Sequence, residues 1–340
     1  SALGQSVDKG GAGMRAGWYE HSGRAREVIK IGDMDQPQAG PGEVLVKLHA
    51  SGLNPSDYKK RGNLDTKLEF PRIIPHSDGA GRIAGLGAGV TNFSIGERVW
   101  LFNAQWKRAM GTAAQYIALP AQLVRPLPAH VSFAEGACLG IPAMTGYRAV
   151  FADGPVKGKT IYIPGATGRV GAYAVQFAKW GGARVIASVS SNDKAEMAKA
   201  LGADIVLNRK QENLVERLLA ETNQIGVDHI VEIDLGGNLP IDEKVLAENG
   251  SICSYASAQS PIAHLNIGAR RARNMSVRVI FVYLLSPSAI EETCAGISQA
   301  MHETNIQHRI SGLFKLDDLA SAHETAETQS GMGHVVIEID

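Results

Sequence analysis

The segment most able to do chemistry is a glycine-rich turn between a short apolar run and a predicted helix. The run TIYIP occupies 160–164, and the turn continues it as Gly165-Ala166-Thr167-Gly168-Arg169-Val170-Gly171. In the GxGxxG register, Gly168 allows the backbone to approach a pyrophosphate and Gly171 allows the helix to pack closely on the strand, while Ala166 takes the first glycine's place. The unpaired N–H groups of a helix N-terminus suit an anion. The turn predicts dinucleotide binding, with an ordinary tight turn of small residues as the alternative.

The end of the second predicted strand indicates which dinucleotide binds. An NAD site usually carries Asp or Glu about 20 residues after the turn, on the ribose 2′-hydroxyl. Here the chain reads Val189-Ser190-Ser191-Asn192, and the first acid, Asp193, precedes Lys194. Hydroxyls and a lysine can donate to a 2′-phosphate. We therefore predict NADPH, held by Ser190, Ser191 and Lys194, although Lys194 could instead be a solvated helix lysine.

The elements around the turn predict a doubly wound parallel sheet. Helical spacing covers 170–180 and 192–201, and strand-like runs occupy 184–188, 204–207, 228–233 and 251–255. Strands that alternate with helices are typical of a Rossmann-type domain. A longer apolar run, SVRVIFVYLL at 276–285, is predicted to be an edge or interface strand of this sheet.

The chain before the turn has a different pattern. Short apolar runs at 44–50, 81–86, 97–102 and 113–119 are broken by Gly and Pro, which predicts short strands of a barrel or sandwich. The last predicted strand, 334–340, has no glycine turn beside it and could rejoin this first domain. Residues 1–13 are small, polar and glycine-rich, which indicates a tag or a disordered leader before Met14.

The composition of the chain limits the classes of function that it can have. A length of 340 residues suggests about two domains. The 34 basic and 34 acidic residues balance, which argues against nucleic acid as a main ligand. Cys138, Cys253 and Cys294 form no CxxC pair, so a reducing, cytoplasmic location is predicted. No apolar run approaches the roughly 20 residues that cross a bilayer.

Seven blocks of sequence follow one another along the chain: GLNPSDY at 52–58, SDGAGRIAGLGAGV at 77–90, GERVW at 96–100, LGIPAMTGYRAVF at 139–151, GATGRVG at 165–171, AKALGAD at 198–204 and GVDHIVE at 226–232. In this order they resemble the zinc-independent quinone oxidoreductases, the zeta-crystallin-like branch of the medium-chain dehydrogenase/reductase superfamily. The resemblance implies an α/β protein in which a GroES-like β-barrel catalytic domain (14–140, completed by 286–340) carries an inserted Rossmann domain (141–285).

The resemblance also implies a site without metal. Zinc-dependent relatives hold their metal with a cysteine where this chain has Asn54, and with a His-Glu pair where it has Ser77 and Asp78. Amide and hydroxyl oxygens do not form the N/S tetrahedral set that zinc prefers. His76 lies one place off and is predicted to be a hydrogen-bonded turn histidine rather than a ligand.

By the same resemblance, Asn54 lines the nicotinamide and substrate pocket, and Thr145 approaches the cofactor from its helix. The loop Tyr255-Ala256-Ser257 and the segment Phe281-Val282-Tyr283 are expected to wall the nicotinamide ring, with plain packing as the alternative. Two aromatic positions of the branch differ here: Lys59 stands at a pocket tyrosine, with Tyr58 one place before it, and Asp65 stands at a second tyrosine.

The expected reaction is NADPH-dependent reduction of a quinone or activated alkene, because such acceptors delocalise the developing charge without a Lewis acid. Asn54 is predicted to donate to the carbonyl oxygen, with water or Tyr58 as the proton source. An enoyl-thioester or 2-alkenal reductase is the alternative, in which Lys59, Lys60 and Arg61 would attract a charged carrier. A non-enzymatic crystallin or RNA-binding role is the third possibility.

Self-association is expected from the family, as a dimer or a tetramer. The 276–285 strand is predicted to pair with its twin across a two-fold axis. The basic cluster Arg270-Arg271-Ala272-Arg273 could contact a 2′-phosphate, face solvent or border a subunit contact. The only other partner expected is a small-molecule acceptor.

Overall fold

The computed structural model describes residues 12–256, 260–329 and 333–340, which divide into two compact units. The first unit contains residues 12–140, 312–329 and 335–340, and the second contains 141–256, 260–311 and 333–334. Residues 1–11 of the predicted leader lie outside the described residues, as does Ser257.

The strands, numbered in chain order, are β1 Gly13–Trp18, β2 Lys30–Asp35, β3 Glu43–Leu53, β4 Asp78–Leu86, β5 Arg98–Leu101, β6 Tyr116–Pro120, β7 Val124–Pro126, β8 Thr160–Pro164, β9 Arg184–Val189, β10 Ile205–Asn208, β11 Val227–Glu232, β12 Leu246–Ser254, β13 Ser276–Val279, β14 Ile310–Lys315 and β15 His334–Glu338. The helices are α1 Ala25–Val28, α2 Pro55–Gly62, α3 Phe133–Gly136, α4 Met144–Phe151, α5 Arg169–Trp180, α6 Asn192–Ala200, α7 Leu214–Glu221, α8 Leu235–Val245, α9 Ile267–Arg273, α10 Pro287–Glu303 and α11 Leu319–Thr328. Within the described ranges, no helix has both the length and the apolar character that a membrane crossing needs.

The second unit is built on a six-stranded sheet in the order β10-β9-β8-β11-β12-β13, and every pair of neighbours is parallel. The short apolar runs of β8 and β9 are buried because helices cover such a sheet on both faces. Numbered from β8, the order is 3-2-1-4-5-6, the Rossmann order. The predicted fold class is confirmed, and the turn after β8 lies where the strand order reverses.

One strand differs from its prediction. β13 ends at Val279, whereas the apolar run predicted a strand to 285, and the chain forms a short 3₁₀ turn over Val282–Leu284 instead. All four residues of β13 are exposed, because β13 forms the edge of the sheet with a neighbour on one side only. The long apolar run is therefore one edge strand followed by a turn, and its side chains are less buried than predicted.

The first unit is built on a seven-stranded sheet. Six strands follow one another in the order β14-β15-β3-β4-β5-β7, and the seventh, β6, pairs with β3. β3 pairs antiparallel with β4, β6 and β15. The C-terminal strand thus returns to the first unit, as predicted, and Val336 lies opposite Gly52. The apolar side chains of β3, including Val44 and Leu48, belong to a buried cluster at the core of this unit.

The boundaries of the two units partly differ from the predicted ones. The first segment of the first unit ends at Gly140, where the sequence also places it. Residues 286–311, predicted to complete the barrel, belong to the second unit, and only 312–329 and 335–340 return to the first. The predicted strand and helix signals of this segment could not tell which sheet they would pack on. Gly13, assigned to the leader, is the first residue of β1.

Candidate active site

The glycine turn has the strand–turn–helix geometry that its sequence predicts. It joins β8 to α5, Gly168 is the N-cap of α5, and Ala166 and Thr167 are buried. A Cβ on Gly171 would lie 2.2 Å from the carbonyl oxygen of Gly165. Only glycine therefore allows α5 to begin this close to the turn.

Arg169 and Val170 open α5, and the first N–H groups of this twelve-residue helix are its unpaired donors. These donors suit a phosphate. Thr145 is buried near the start of α4. A Cβ on its neighbour Gly146 would lie 3.1 Å from the Val170 carbonyl oxygen, so α4 packs against the first turn of α5. Thr145 therefore lies next to a residue that packs on the first turn of α5, and its contact with the cofactor stays a prediction.

Arg309 supports the turn from a loop that sequence analysis did not single out. Its Nη1 donates a hydrogen bond to the carbonyl oxygen of Thr167. Arg309 is partly buried, and this burial lowers the pKa of its guanidinium from its ordinary value. A cation beside the turn favours a bound anion. Arg309 stands in no motif, so the sequence carries no signal for this contact.

A cavity of about 170 Å³ lies beside the turn at the ends of β9 and β10. Lys194 lines it and donates from Nζ to Ser190 Oγ at 3.1 Å. Arg209, which follows β10, adds a second cation that sequence analysis missed. Among the described residues, no Asp or Glu lines the cavity. Its lining is Gly165, Thr167, Gly168, Ser188, Val189, Ser190, Lys194, Arg209 and Ile233.

Ser191 has another role in the structure. Its Oγ accepts a hydrogen bond from the Lys194 backbone N–H at 3.3 Å, so it is the N-cap of α6. It does not line the cavity. The signal for Arg209 was available: a basic residue at the carboxyl end of the third parallel strand faces the same edge of the sheet as the turn.

The residues predicted to wall the nicotinamide ring lie at neighbouring strand ends. The Ile280 N–H donates to the Ser254 carbonyl at 2.9 Å, so Tyr255 and Phe281 leave β12 and β13 side by side. Phe281 is half exposed, and its ring centroid lies 5.1 Å from that of Tyr283. Val282 between them is buried and packs inward. Phe281 and Tyr283 are therefore accessible to a ligand, whereas Val282 serves packing.

The Tyr255 hydroxyl is buried and has no hydrogen-bond partner among the described residues. Burial raises the pKa of this phenol above its ordinary value. An unpaired buried hydroxyl costs about 1–3 kcal/mol, which a polar group of a ligand would recover.

In the first unit, Asn54 is fixed by two carboxylates. It is the N-cap of α2 and is 2% exposed. Its Nδ2 donates to Asp78 Oδ2 at 2.7 Å, and its backbone N–H donates to Asp57 Oδ2 at 2.7 Å. Gly140 makes room for the Asp78 carboxylate, because a Cβ there would lie 2.0 Å from Oδ1. One N–H of the Asn54 amide is thus committed to Asp78, which fixes the orientation of the amide.

The rest of α2 differs from what its charges indicate. Tyr58, one turn after Asn54, packs its ring against the hydrophobic core of the unit. Lys60 pairs with Glu69 at 3.3 Å, and Arg61 is 2% exposed. Of the three basic residues predicted to attract a charged carrier, only Lys59 is exposed. Tyr58 as proton donor stays a prediction.

Beneath Asn54, buried polar side chains connect β3, β4, α2 and α11 through short hydrogen bonds. Thr112 Oγ1 donates to the Asp78 carbonyl at 2.7 Å and lies 2.7 Å from Ser51 Oγ. Ser51 Oγ lies 2.8 Å from His76 Nδ1. His76 Nε2 lies 2.9 Å from His323 Nε2, and His323 Nδ1 accepts from Arg61 Nη1 at 2.7 Å.

Buried histidines predict instability in acid. Burial lowers the pKa of His76 to about 3 and lowers the pKa values of His229, His323 and His334 below their ordinary range. The unfolded chain binds these protons near pH 6.5 and the folded chain does not, so stability present above pH 6.5 is lost as pH falls. Each histidine contributes roughly 1.4 kcal/mol per pH unit in that window.

We expect the melting temperature to be level above about pH 7 and to fall steeply from about pH 6.5 to 5, before most carboxylates protonate. Thermal melts at half-unit steps measure this. The variant His229→Gln removes one of the four protons and flattens the slope, whereas a melting temperature independent of pH across this window contradicts the prediction.

The residues at the zinc-ligand positions do not fit a zinc ion. Asn54 and Ser77 offer neutral amide and hydroxyl groups, and Asp78 already accepts from Asn54. Both ring nitrogens of His76 are hydrogen-bonded within the protein, which confirms it as a hydrogen-bonded turn histidine. In the part of the chain that is described, no three His, Cys, Asp or Glu side chains are grouped to hold a metal. Zinc prefers a tetrahedral N/S set, which these residues do not supply.

Comparison with known proteins agrees with both units. The alcohol dehydrogenase GroES-like domain family matches residues 40–129, and the zinc-binding dehydrogenase family matches residues 170–299. Quinone oxidoreductase of Rattus norvegicus is 31% identical over 317 residues, which cover 92% of this chain and 94% of the relative.

Two further relatives extend the comparison. The zinc-type alcohol dehydrogenase-like protein C1773.06c of Schizosaccharomyces pombe is 31% identical, over 92% of this chain and 96% of that protein. A mycobacterial protein solved in complex with NADPH has a TM-score of 0.79 and 25% identity, over 96% of this chain and 99% of that one. The resemblance found in the sequence is confirmed: the chain belongs to the medium-chain dehydrogenase/reductase superfamily, as a quinone oxidoreductase-like, NAD(P)-dependent oxidoreductase.

Proposed function

We propose that the protein reduces quinones and other conjugated carbonyl compounds with NADPH and without a metal. The observation that carries this proposal is Asn54, a buried neutral donor whose amide is oriented by the Asp78 carboxylate 2.7 Å away. A positioned donor stabilises the negative charge that develops on a carbonyl oxygen. A single neutral hydrogen bond suffices only for an acceptor that delocalises charge, which quinones and enones do.

The cofactor assignment rests on the cavity beside the glycine turn. Bound NADPH would supply a hydride to the acceptor. Its pyrophosphate suits the first turn of α5, and its 2′-phosphate suits the cavity, where Lys194 and Arg209 provide two cations and Ser190 a hydroxyl. The rat relative is named a quinone oxidoreductase, and the mycobacterial structure contains NADPH, which supports both parts of the proposal.

The chain's own residues supply the remaining steps. In this proposal the second N–H of the Asn54 amide donates to the acceptor's carbonyl oxygen, while Asp78 holds the amide in one orientation. Besides the hydride, the reduced product needs one proton, which we assign to water or to Tyr58. Packing of the Tyr58 ring on the core keeps its position fixed.

The test is NADPH and NADH oxidation with four separate acceptors: 9,10-phenanthrenequinone, 1,4-benzoquinone, an enone and crotonyl-CoA. We expect quinone reduction with NADPH preferred, unchanged after dialysis against a zinc chelator. Turnover of crotonyl-CoA alone replaces this proposal with an enoyl-thioester reductase. Against that alternative, Arg61 is buried and Lys60 is paired, so only Lys59 of the predicted basic run faces solvent.

We also propose self-association through β13. Val279 is 74% exposed on this edge strand, whose outer hydrogen-bonding groups can pair with a second copy, and Phe281, just beyond the end of the strand, is 52% exposed. The cytoplasmic location stays a prediction. The role of the basic cluster at 270–273 also stays open: Arg273 donates a hydrogen bond to the Leu246 carbonyl, and Arg271 is exposed.

Val279→Lys is expected to convert the assembly into a monomer of 36.1 kDa. Pairing of the two edges would bury the lysine and leave its charge without a partner. A lysine on an edge strand is a common way in which proteins prevent edge pairing. Light scattering after gel filtration measures the mass. Ile225→Lys, at an equally exposed apolar residue elsewhere, is the control and leaves the mass unchanged. A wild-type monomer, or an oligomer that survives Val279→Lys, contradicts the proposal.

A further inference from the structure

The buried polar side chains beneath Asn54 form one continuous chain, which we call the histidine chain. It starts on α2, passes through α11, crosses to the segment before β4 and reaches β3. Its members, in order, are Arg61, His323, His76, Ser51 and Thr112, and it ends on the backbone carbonyl of Asp78.

The direction of every hydrogen bond in the histidine chain can be derived from its two ends. The Asp78 carbonyl can only accept a hydrogen bond, so Thr112 uses its single hydroxyl proton to donate to it. Thr112 therefore accepts from Ser51, and Ser51 accepts from the Nδ1–H of His76. At the other end Arg61 only donates, so His323 Nδ1 is unprotonated.

The two histidines must then be neutral. His323 carries its proton on Nε2 and donates it to His76, whose Nε2 is an acceptor. Each ring thus has one defined tautomer. A second proton on either ring would place two N–H donors opposite each other, with no acceptor between them. The lowered pKa values of both imidazoles agree with this assignment. Because the chain ends on a backbone carbonyl, it cannot pass a proton to a ligand.

The histidine chain closes a ring around α2. Asn54 begins this helix, Arg61 lies in its last turn, and Asp78 accepts from the Asn54 amide at 2.7 Å. Arg61 is also held by the Gly23 carbonyl and by Glu327 of α11. The ring therefore ties both ends of α2 to β3, β4 and the returning C-terminal segment.

The backbone of His76 is strained. Its φ is +80°, a left-handed backbone that residues other than glycine rarely adopt. Such strain costs on the order of 1–3 kcal/mol and persists where surrounding contacts determine it. Two hydrogen bonds from a fully buried ring supply these contacts. Strained residues held this way cluster at functional sites.

We infer that the histidine chain is a positioning device for the proposed reaction: through Thr112 and the Asp78 backbone it holds the Asp78 carboxylate, and with it the Asn54 amide, in the orientation that meets the acceptor. His323 and His76 are positioning residues and touch no ligand. This inference rests on the proposed function of Asn54.

A double-mutant cycle with Asn54→Ala tests the inference. Thr112→Val removes one hydroxyl from the histidine chain at nearly constant volume, and His323→Leu breaks it in the middle. We expect each to lower kcat/KM for the quinone about tenfold in the wild-type background and to have little further effect beside Asn54→Ala. His323→Gln offers an acceptor and a donor on one amide and restores most of the activity. NADPH affinity stays unchanged in all of them.

The matched control is His229→Leu. His229 is equally buried and bonded to Ser251 and Ala149, but it lies on β11 outside the histidine chain. Its effect on kcat/KM should be the same with Asn54 or with Ala at that position. If Thr112→Val and His323→Leu also show equal effects in both backgrounds, their role is structural and the inference is wrong.

A spectroscopic readout separates this inference from the proposed function. The side-chain NH₂ resonance of Asn54, identified by its loss in Asn54→Ala, is expected to shift in Thr112→Val and His323→Leu and to return in His323→Gln. His229→Leu leaves it in place. If no acceptor is reduced, the proposed function fails, yet this resonance still decides the positioning: an unshifted signal in both Thr112→Val and His323→Leu overturns it.

Discussion

Replacing Asn54 by alanine is expected to lower kcat/KM for quinone reduction about 10²–10³-fold, the usual loss when one preorganised donor to a developing oxyanion is removed. The structure gives two reasons for a large effect. Asn54 is 2% exposed, so its amide acts where water does not screen it, and Asp78 fixes its orientation at 2.7 Å. Alanine removes the donor and also leaves the buried Asp78 carboxylate without this partner.

Two variants separate the donor from the helix cap. Asn54→Asp keeps the shape but removes both N–H groups and sets a second carboxylate against Asp78, so its activity should be no better than that of alanine. Asn213→Ala removes another N-cap side chain, on α7, and costs stability of about 1 kcal/mol with unchanged kcat/KM. Steady-state rates and thermal melts measure both. An Asn54→Ala enzyme with wild-type kcat/KM removes Asn54 from the mechanism.

The second unit could be predicted from sequence because its signals are local. Each strand is a short apolar run, each turn carries glycine, and parallel strands joined by helices leave few topologies. β8 and α5 begin within one residue of their predicted positions. Ser190 and Lys194 could be identified because they follow the glycine turn at a spacing fixed by the βαβ unit.

The buried hydrogen bonds near Asn54 in the first unit could not be predicted in the same way, because they join residues that are far apart in the chain. His76 and His323 are separated by 247 residues and share a hydrogen bond. Arg61 stands in a basic run predicted to attract a charged carrier, yet its guanidinium is buried against His323. Charge and local spacing contain no information on such pairings, which depend on where α11 packs.

The 276–285 run shows a different limit. Its apolar residues predict a strand, and the first four form one, but apolar character does not say whether a strand is central or at an edge. Exposed Val279 and Phe281 suit pairing with a second copy as well as they would suit a buried strand. If the proposed assembly forms, it accounts for an apolar run that the single chain leaves exposed.

Removing both cations from the cavity beside the glycine turn is expected to abolish the preference for NADPH. In the variant Lys194→Ala/Arg209→Ala, the 2′-phosphate loses two charge-assisted hydrogen bonds of about 1.5–3 kcal/mol each. The ratio of kcat/KM for NADPH to that for NADH should fall about 10²–10⁴-fold. Because NADH has no 2′-phosphate, its own kcat/KM should change little, and the loss should appear in KM.

Lys199→Ala is the matched control, since Lys199 lies on the same helix, pairs with Glu196 and does not line the cavity. It should leave both coenzymes unaffected. The wild-type preference should also weaken as salt is raised, because exposed charges are screened within about 10 Å at 0.1 M ionic strength. A double variant that keeps the wild-type ratio would show that the 2′-phosphate binds elsewhere, with the exposed Arg271 of α9 as the next residue to replace. Where the ratio does fall, the single variants Lys194→Ala and Arg209→Ala divide the loss between the two cations, and a sum of their effects that differs from the effect of the double variant measures the coupling between them.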